Sequence, residues 1–402
     1  MKKLSFISFK VWEVIVPVRA DVLGASMEMA SWPVQSIHLV EGKTSEGFTA
    51  VGECARGTPA ECVNSTLRAL LGINLLGVTP PTAWMQSFDP GQLPAGYPVW
   101  TKGEGQTQQK AIAEAVGMTS LYPVWSWGAS GSVSYILFES LWLDAVGKYA
   151  GMPSHQLLGG AVRGQVAVDF WAARPLPDTL PALVHEAKEK GLRGMKIKSN
   201  DAGDAVLHLH QLRGELPVDF RFTIDAMCGW RSWRESQHLW KRLGEFPFSV
   251  QVEDPFPYEN REDWRKVGAM NIVPLICHAR SEQILKGALS DNLADAYNIG
   301  GGSAFEFVKL AAMAEFHGKD CWHGSGMELG VLQALHLHAA SCARNCVLAG
   351  DLQSEWIRAE TLVRPRMTYQ GNGALVTKLP GLGVELDPDA VSRYRCSDFS
   401  VL

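Results

Sequence analysis

The chain has 402 residues, 46% of them hydrophobic and 20% charged, with a formal net charge of −5. That length exceeds one ordinary domain and accommodates a barrel plus a second unit. The acidic balance gives no electrostatic basis for nucleic-acid binding, and no apolar stretch reaches membrane-span length, so the expected partners are small molecules.

Lys10 and Glu13 interrupt the early apolar run that a signal peptide requires, so the segment reads as a first strand and the chain is expected to be cytoplasmic. Residues 6–19, 34–39 and 47–53 read as strands of an antiparallel meander with its turn at 43–47. A helix over 60–72 follows, which together suggests an α+β unit. The stretch 21–33 has methionines, a tryptophan and small residues without a period, and 90–131 is rich in Gly, Pro, Trp and Tyr. Both read as loops, of a kind that can serve as lids or binding loops.

A helix over 135–148 is closed by Gly151 and Pro153. From there strand and helix alternate. Strands are predicted over 165–172, 192–198, 221–225, 248–253, 273–277, 296–299 and 320–323. Helices are predicted over 180–190, 202–215, 232–245, 260–267, 281–289, 304–317 and 330–342. Continuous apolar strands alternating with helices are the pattern of a parallel (β/α) barrel, an α/β fold. The tail loses the alternation. The expected division is an α+β unit over 1–131, a barrel over 132–366 and a segment over 367–402 that returns to the first unit.

The eight cysteines show no Cys-x-x-Cys pair and read as buried free thiols, with Cys342 and Cys346 on one face of a helix.

Active sites of such barrels lie at the C-terminal ends of the strands. Charged residues assigned to that end are Lys196, Lys198, Asp225, Glu253, Asp295 and His323. Asp225 and Glu253, from neighbouring strands, suit a hard divalent cation such as Mg²⁺, although each could instead pair with a lysine; their regular spacing favours the metal. Lys196 and Lys198, two apart on a strand, point to the same side, and crowding of two cations favours a neutral amine that can act as a base. Asp295 beside His323 would fix the imidazole's tautomer and make a second acid–base group.

Val51-Gly-Glu53, Asp144 with Gly147 and Lys148, Leu157-Leu-Gly-Gly160, Lys196-Ile-Lys198, Asp225, Val252-Glu-Asp-Pro255, Asp295 with Ile299-Gly-Gly301, and Pro380-Gly-Leu-Gly383 stand in a specific order. In that order the chain resembles the enolase superfamily, and its mandelate racemase subgroup in particular. The resemblance implies a modified TIM (β/α) barrel under an N-terminal α+β capping domain, with the 20–35 loop and the C-terminal tail closing the site. It implies removal of the proton α to a substrate carboxylate, with Mg²⁺ stabilising the enediolate. By the same resemblance Lys198 is one base, Lys196 lies against the substrate carboxylate, and Asp295–His323 is the base on the opposite face. A symmetric homo-oligomer is implied as well.

The chain departs from that pattern in places. Ala279, in Pro274-Leu-Ile-Cys-His-Ala-Arg280, occupies the position of the glutamate that completes the metal site. His278 could replace it by way of a bulge, Glu282 could reach back, or Arg280 could neutralise a carboxylate without metal. Met227 and Asn298 stand where a polar residue and a lysine are usual.

The expected function is a lyase of the acid-sugar dehydratase type. Lys198 or His323 abstracts the α-proton, the His323 imidazolium protonates the departing hydroxyl, and Glu328 or Glu355 is placed to hydrogen-bond the enediolate. A non-catalytic binding protein on the same fold is the alternative, and a 2-hydroxy-acid racemase a further one.

Overall fold

The structure, a computed structural model, describes residues 3–24, 36–77, 132–300, 303–352 and 354–402. The expected loop at 90–131 lies outside these residues, as does most of the loop at 21–33.

The N-terminal unit comprises β1 (Phe6–Val14), β2 (Ile37–Thr44), β3 (Thr49–Glu53), α1 (Ala60–Leu70) and α2 (Ser132–Ala150). Phe6, Phe9, Val11 and Val14 of β1 are buried, and so are Cys62, Val63, Leu67 and Leu70 of α1, so sheet and helix each supply one apolar face to the core.

The predicted strand over 165–172 is divided. Its first part, β4 (Gln165–Ala167), leaves for a small antiparallel sheet, and β5 (Phe170–Ala172) opens the barrel. The break falls at Asp169, whose buried carboxylate accepts two hydrogen bonds from the Arg221 guanidinium at 2.7 and 3.2 Å.

Then follow α3 (Leu180–Glu189), β6 (Gly194–Lys198), α4 (Ala202–Gln211), β7 (Arg221–Asp225), α5 (Trp233–Gly244), β8 (Ser249–Glu253) and α6 (Arg261–Met270). Next come β9 (Leu275–His278), α7 (Glu282–Ser290), β10 (Ala296–Ile299), α8 (Ala304–Phe316), β11 (Asp320–His323) and α9 (Gly330–Cys342). Side chains of Asp201, Ser232, Ser281 and Ser303 cap α4, α5, α7 and α8, which explains where those helices start.

The seven strands β5 to β11 form one parallel sheet in sequential order. The gap between β11 and β5 is spanned by residues 345–351, which the alternation did not predict. Cys321 N donates to Asn345 O at 2.9 Å on one side, and Asp169 N to Gly350 O at 2.8 Å on the other. Gly350 permits that approach, since a Cβ there would lie 2.8 Å from the His323 carbonyl oxygen. Inside the barrel Ile276, Ala296 and Trp322 form an apolar cluster against which Leu348 of the closing segment packs. Cys346 lies beyond the end of α9, so Cys342 and Cys346 do not share a helix face. Cys346 is instead hydrogen-bonded to Cys321, while Cys342 Sγ approaches the His338 carbonyl oxygen at 3.3 Å.

The tail contains β12 (Val363–Arg364), β13 (Tyr369–Gln370), β14 (Gly373–Leu375), β15 (Glu385–Leu386), α10 (Pro388–Tyr394) and β16 (Arg395–Val401). It returns to the N-terminal unit, where β16 pairs antiparallel with β1 in the sheet order β16–β1–β2–β3.

Three buried carboxylates lock these parts together. Glu53 of β3 accepts hydrogen bonds from Leu329, Val331 and Leu332 N–H at the start of α9. Glu139 of α2 does the same for Ala304 and Phe305 at the start of α8. Asp144 accepts from Val51 N and Leu382 N, both at 2.8 Å, joining capping sheet and tail. Helix N-termini are suited to such anions.

Burial nonetheless pushes the Glu53 carboxyl up to about 7, against the opposing hydrogen bonds from α9. A carboxyl raised in the folded state contributes stability that is complete below the unfolded pKa and is lost as pH rises through about 7. Glu53→Gln is therefore expected to flatten the fall of the urea midpoint between about pH 5 and about pH 8. Near about pH 5, where the wild-type carboxyl is itself protonated, the neutral amide should change stability little.

Candidate active site

Inward-facing residues at the C-terminal ends of β6 to β10 meet at one mouth. In β6 the pleat sends Lys196 and Lys198 inward, and in register beside them β7 ends on Asp225 and β8 on Glu253. Lys198 Nζ lies 2.7 Å from Asp225 Oδ2. Lys196 Nζ lies 2.8 Å from Glu253 Oε2, 3.6 Å from Asp225 Oδ2 and 3.3 Å from Asp351 Oδ2. The Lys198 side chain is 15% exposed and that of Lys196 5%, so Lys198 is the one reached from outside.

Asp351 ends the closing segment 345–351 and had no place among the predicted site residues. Its signal was available: Val347-Leu-Ala-Gly-Asp351 is an apolar run ending on an acid, as in β7 and β8.

The loops that leave these strands are strained. Met227 and Cys228 after β7, and Asp254 after β8, have φ of 49°, 60° and 44°, the left-handed region that non-glycine residues seldom enter. The turn at Met227 lets its N–H donate to Asp225 Oδ1 at 3.0 Å, which orients the carboxylate.

Charge follows from this packing. Burial pushes the Asp225 carboxyl up, and the two lysine charges outweigh it and hold it below the usual carboxylate range. Glu253 is pushed up to about 7 by burial, which Lys196 only partly offsets. Burial opposes the Lys196 charge, but Asp351, Glu253 and Asp225 together keep its ammonium above the usual lysine range.

The β9 position that faces the mouth is His278, with no bulge; Ala279 is fully buried on the other side, in the main core. The next strand confirms the parity: Asn298, the register partner of His278, donates from Nδ2 to Glu253 Oε1 at 2.8 Å. His278 Nδ1 lies 3.6 Å from the same Glu253 oxygen. Burial and the charges of Arg280 and Lys196 hold its imidazole well below the usual histidine range, leaving it neutral. Arg280 neutralises a carboxylate, that of Asp254 next to Glu253, at 2.6 Å, whereas Glu282 pairs with Lys286 and Lys309 on the surface and does not reach back.

The expected Asp295–His323 pair is not formed. Asp295 precedes β10 and so sits at the opposite end of the barrel, where its carboxylate accepts from Leu275 N at 2.8 Å. His323 does end β11, but the inward residue there is Trp322, 5.8 Å below the Lys196 ammonium. The His323 ring instead packs in the helix layer, 4.4 Å from Phe307 and 4.3 Å from His336, with Nδ1 donating to Gly324 O at 2.7 Å. Glu328 bonds Ser325, Gly326 N and His336, and Glu355 lies 3.9 Å from Arg366.

Mg²⁺ prefers six oxygens in a near-octahedral arrangement, several of them water. The mouth offers the carboxylates of Asp225, Glu253 and Asp351 and one imidazole, with the Lys196 ammonium already paired to all three acids. As the side chains stand, no three His, Cys, Asp or Glu form a ready ligand group among the described residues. The Mg²⁺ implied by the sequence does not fit this donor set.

Residues 180–390 match the family model described as "Enolase C-terminal domain-like". The chain is 25% identical over 253 residues to L-Ala-D/L-Glu epimerase of Bacillus subtilis, covering 60% of this chain and 67% of that one. It is 28% identical over 285 residues to D-galactonate dehydratase of Xanthomonas campestris, covering 63% and 71%. The solved structure of N-succinyl Arg/Lys racemase from Bacillus cereus superposes over all of both chains with a TM-score of 0.72 at 18% identity, which shows a common fold. Among the described residues no helix is long and apolar enough to cross a membrane.

Proposed function

We propose, for a chain that belongs to the enolase superfamily and its mandelate racemase and muconate lactonizing enzyme subgroup, that it is a dehydratase acting on a small hydroxy acid, with Lys198 as the base. The observation that carries this reading is the pair of inward lysines, of which Lys198 is the accessible one and Lys196 the one surrounded by Asp225, Glu253 and Asp351.

In this reading the substrate carboxylate lies toward Lys196, whose fixed positive charge opposes the negative charge that develops on the carboxylate oxygens. Lys198 takes the α-proton, and the C–H electron pair passes into the enediolate. The enediolate collapses by expelling the β-hydroxyl, and the Lys198 ammonium returns its proton to that oxygen. Water leaves from the face on which the proton was taken, and the enol formed tautomerises to a 2-keto-3-deoxy acid. One group thus serves as base and acid, which matches a site in which His323 faces the helix layer. A racemase needs a second base on the opposite face, and the Asp295–His323 pair that would have supplied one lies apart.

Galactonate dehydration by one relative supports the choice of an acid-sugar substrate. The test is incubation with a panel of aldonic acids, reading 2-keto product as its semicarbazone and loss of one water by mass. Product from at least one acid is expected. Inversion at the α-carbon without loss of water would replace this reading with the racemase, and no conversion of any acid would favour a binding protein.

A further inference from the structure

We propose that His278 sets the specificity of the mouth: its Nε2 accepts a hydrogen bond from the α-hydroxyl of a bound 2-hydroxy carboxylate, selecting such acids over their 2-deoxy analogues. The role rests on the reading of the mouth as a hydroxy-acid site, and it adds a substrate contact on the wall facing Lys198.

Access singles His278 out. Lys196 is 5% exposed, Asp225 1%, Asp351 7%, and Glu253 is fully buried. Lys198 at 15% and His278 at 16% are the side chains of this group that an entering molecule meets first. They stand on β6 and β9, with β7 and β8 between them, so a ligand lying across the mouth has an amine on one wall and an imidazole on the other.

The ring is held ready for this contact. Burial and the neighbouring cations keep it neutral, so one nitrogen carries a proton and the other offers a lone pair. Nδ1 is buried without a hydrogen-bond partner and faces Glu253 Oε1 at 3.6 Å, the oxygen that Asn298 Nδ2 orients at 2.8 Å. A carboxylate on that side, paired with the Lys196 ammonium at 2.8 Å, favours the tautomer with its proton on Nδ1. Nε2 is then the acceptor, on the ring edge away from Glu253. Gly300 keeps that edge uncovered, because a Cβ there would lie 2.5 Å from Nε2. The backbone is fixed as well: His278 N donates to Asp254 Oδ1 at 2.8 Å, and Arg280 holds the other oxygen of Asp254 at 2.6 Å.

Position in the mouth names the hydroxyl. Glu253 lies between His278 and the Lys196 ammonium, toward which the substrate carboxylate is placed. With the α-proton toward Lys198 and the carboxylate toward Lys196, the α-hydroxyl is the first substituent able to turn to His278. An acid without it leaves the Nε2 acceptor unpaired, and that loss is what discriminates.

The test is calorimetry of the full-length Lys198→Ala chain, in which no turnover intervenes, at about pH 8, where Glu253 is ionised. The probes are D-galactonate and D-gluconate, each beside its 2-deoxy analogue. At least one of the two is expected to bind about tenfold more tightly than its analogue. In that background His278→Leu should bring the ratio close to one. His278→Gln, whose amide can present an acceptor near the Nε2 position, should keep most of it, and Gly300→Ala should reduce it by covering that edge. A loosened fold lowers both affinities and leaves their ratio, so the ratio reads the hydrogen bond itself. A ratio near one for both acids in Lys198→Ala, a ratio that survives His278→Leu, or no binding of either hydroxy acid would each overturn the proposal. Where His278→Leu does not fold, an unchanged ratio in Gly300→Ala does the same. Preference lost in His278→Leu with no acid converted by the wild type would sink the proposed dehydratase and leave the His278 role standing. Acids converted with the ratio unmoved would do the reverse.

Discussion

Lys198→Ala is expected to lower turnover by about three orders of magnitude while leaving KM within a few-fold, because a positioned base contributes about 10²–10⁴ to the chemical step and little to ground-state binding. The side chain ends β6 at the mouth, is 15% exposed, and ion-pairs with Asp225 at 2.7 Å. Its removal leaves Asp225 with Lys196 at 3.6 Å and the Met227 N–H at 3.0 Å, so the fold should survive. A base lost from an otherwise intact pocket can be replaced from solution. Methylamine should therefore restore a measurable part of the rate to Lys198→Ala and none to an Asp225→Asn control. A variant as active as wild type, or one whose loss lies wholly in KM, would remove Lys198 from the chemistry.

Lys196→Met should have the largest effect on stability. The ammonium neutralises Glu253, Asp225 and Asp351 in a region where the first two are almost completely buried. Removing one partner of a buried ionic group costs about 3–5 kcal/mol, mostly from the charges left behind. The loss should depend on pH in a definite direction. Burial already pushes Glu253 up to about 7 with Lys196 in place, and without that charge it moves higher. A carboxyl raised in the folded state contributes stability below its unfolded pKa and loses it as pH rises through its folded value. Urea unfolding of Lys196→Met should thus show a small defect near about pH 5 and the full defect near about pH 8. Adding Glu253→Gln should recover part of it at the higher pH, and a defect equal at both pH values would contradict the assignment of Lys196 as the shared counter-ion.

The parallel strands were legible because each is a buried apolar run, and β6, β7 and β8 announce their mouth by ending on Lys198, Asp225 and Glu253. Two physical details were not legible from composition of the runs. One is direction along the strand: Asp295 adjoins an apolar run but precedes it, which places the side chain at the far end of the barrel from Glu253. The other is pleat parity, which a run of three or four buried residues does not declare. It sends Trp322 inward and His323 outward in β11, and His278 inward and Ala279 into the main core at the end of β9. Asp351 escaped notice because its segment follows α9 through a short irregular stretch and closes the sheet by two hydrogen bonds to Cys321 of β11 and two linking Gly350 to Ala167 and Asp169.

The capping unit illustrates a different limit. Its strands follow from alternation, but the buried partners of Glu53 are the backbone N–H groups of Leu329, Val331 and Leu332, nearly three hundred residues away. Nothing local to Glu53 predicts them. Such bonds become visible when the β3 end and the α9 start are brought together.

The most direct measurement is proton NMR of a converted acid in deuterated water, with wild type and Lys198→Ala compared under metal-replete conditions. With Lys198 as the base, wild type washes deuterium into the α-position, or carries it into product, on one face, and Lys198→Ala shows neither. Exchange in Lys198→Ala at the wild-type rate would contradict that role.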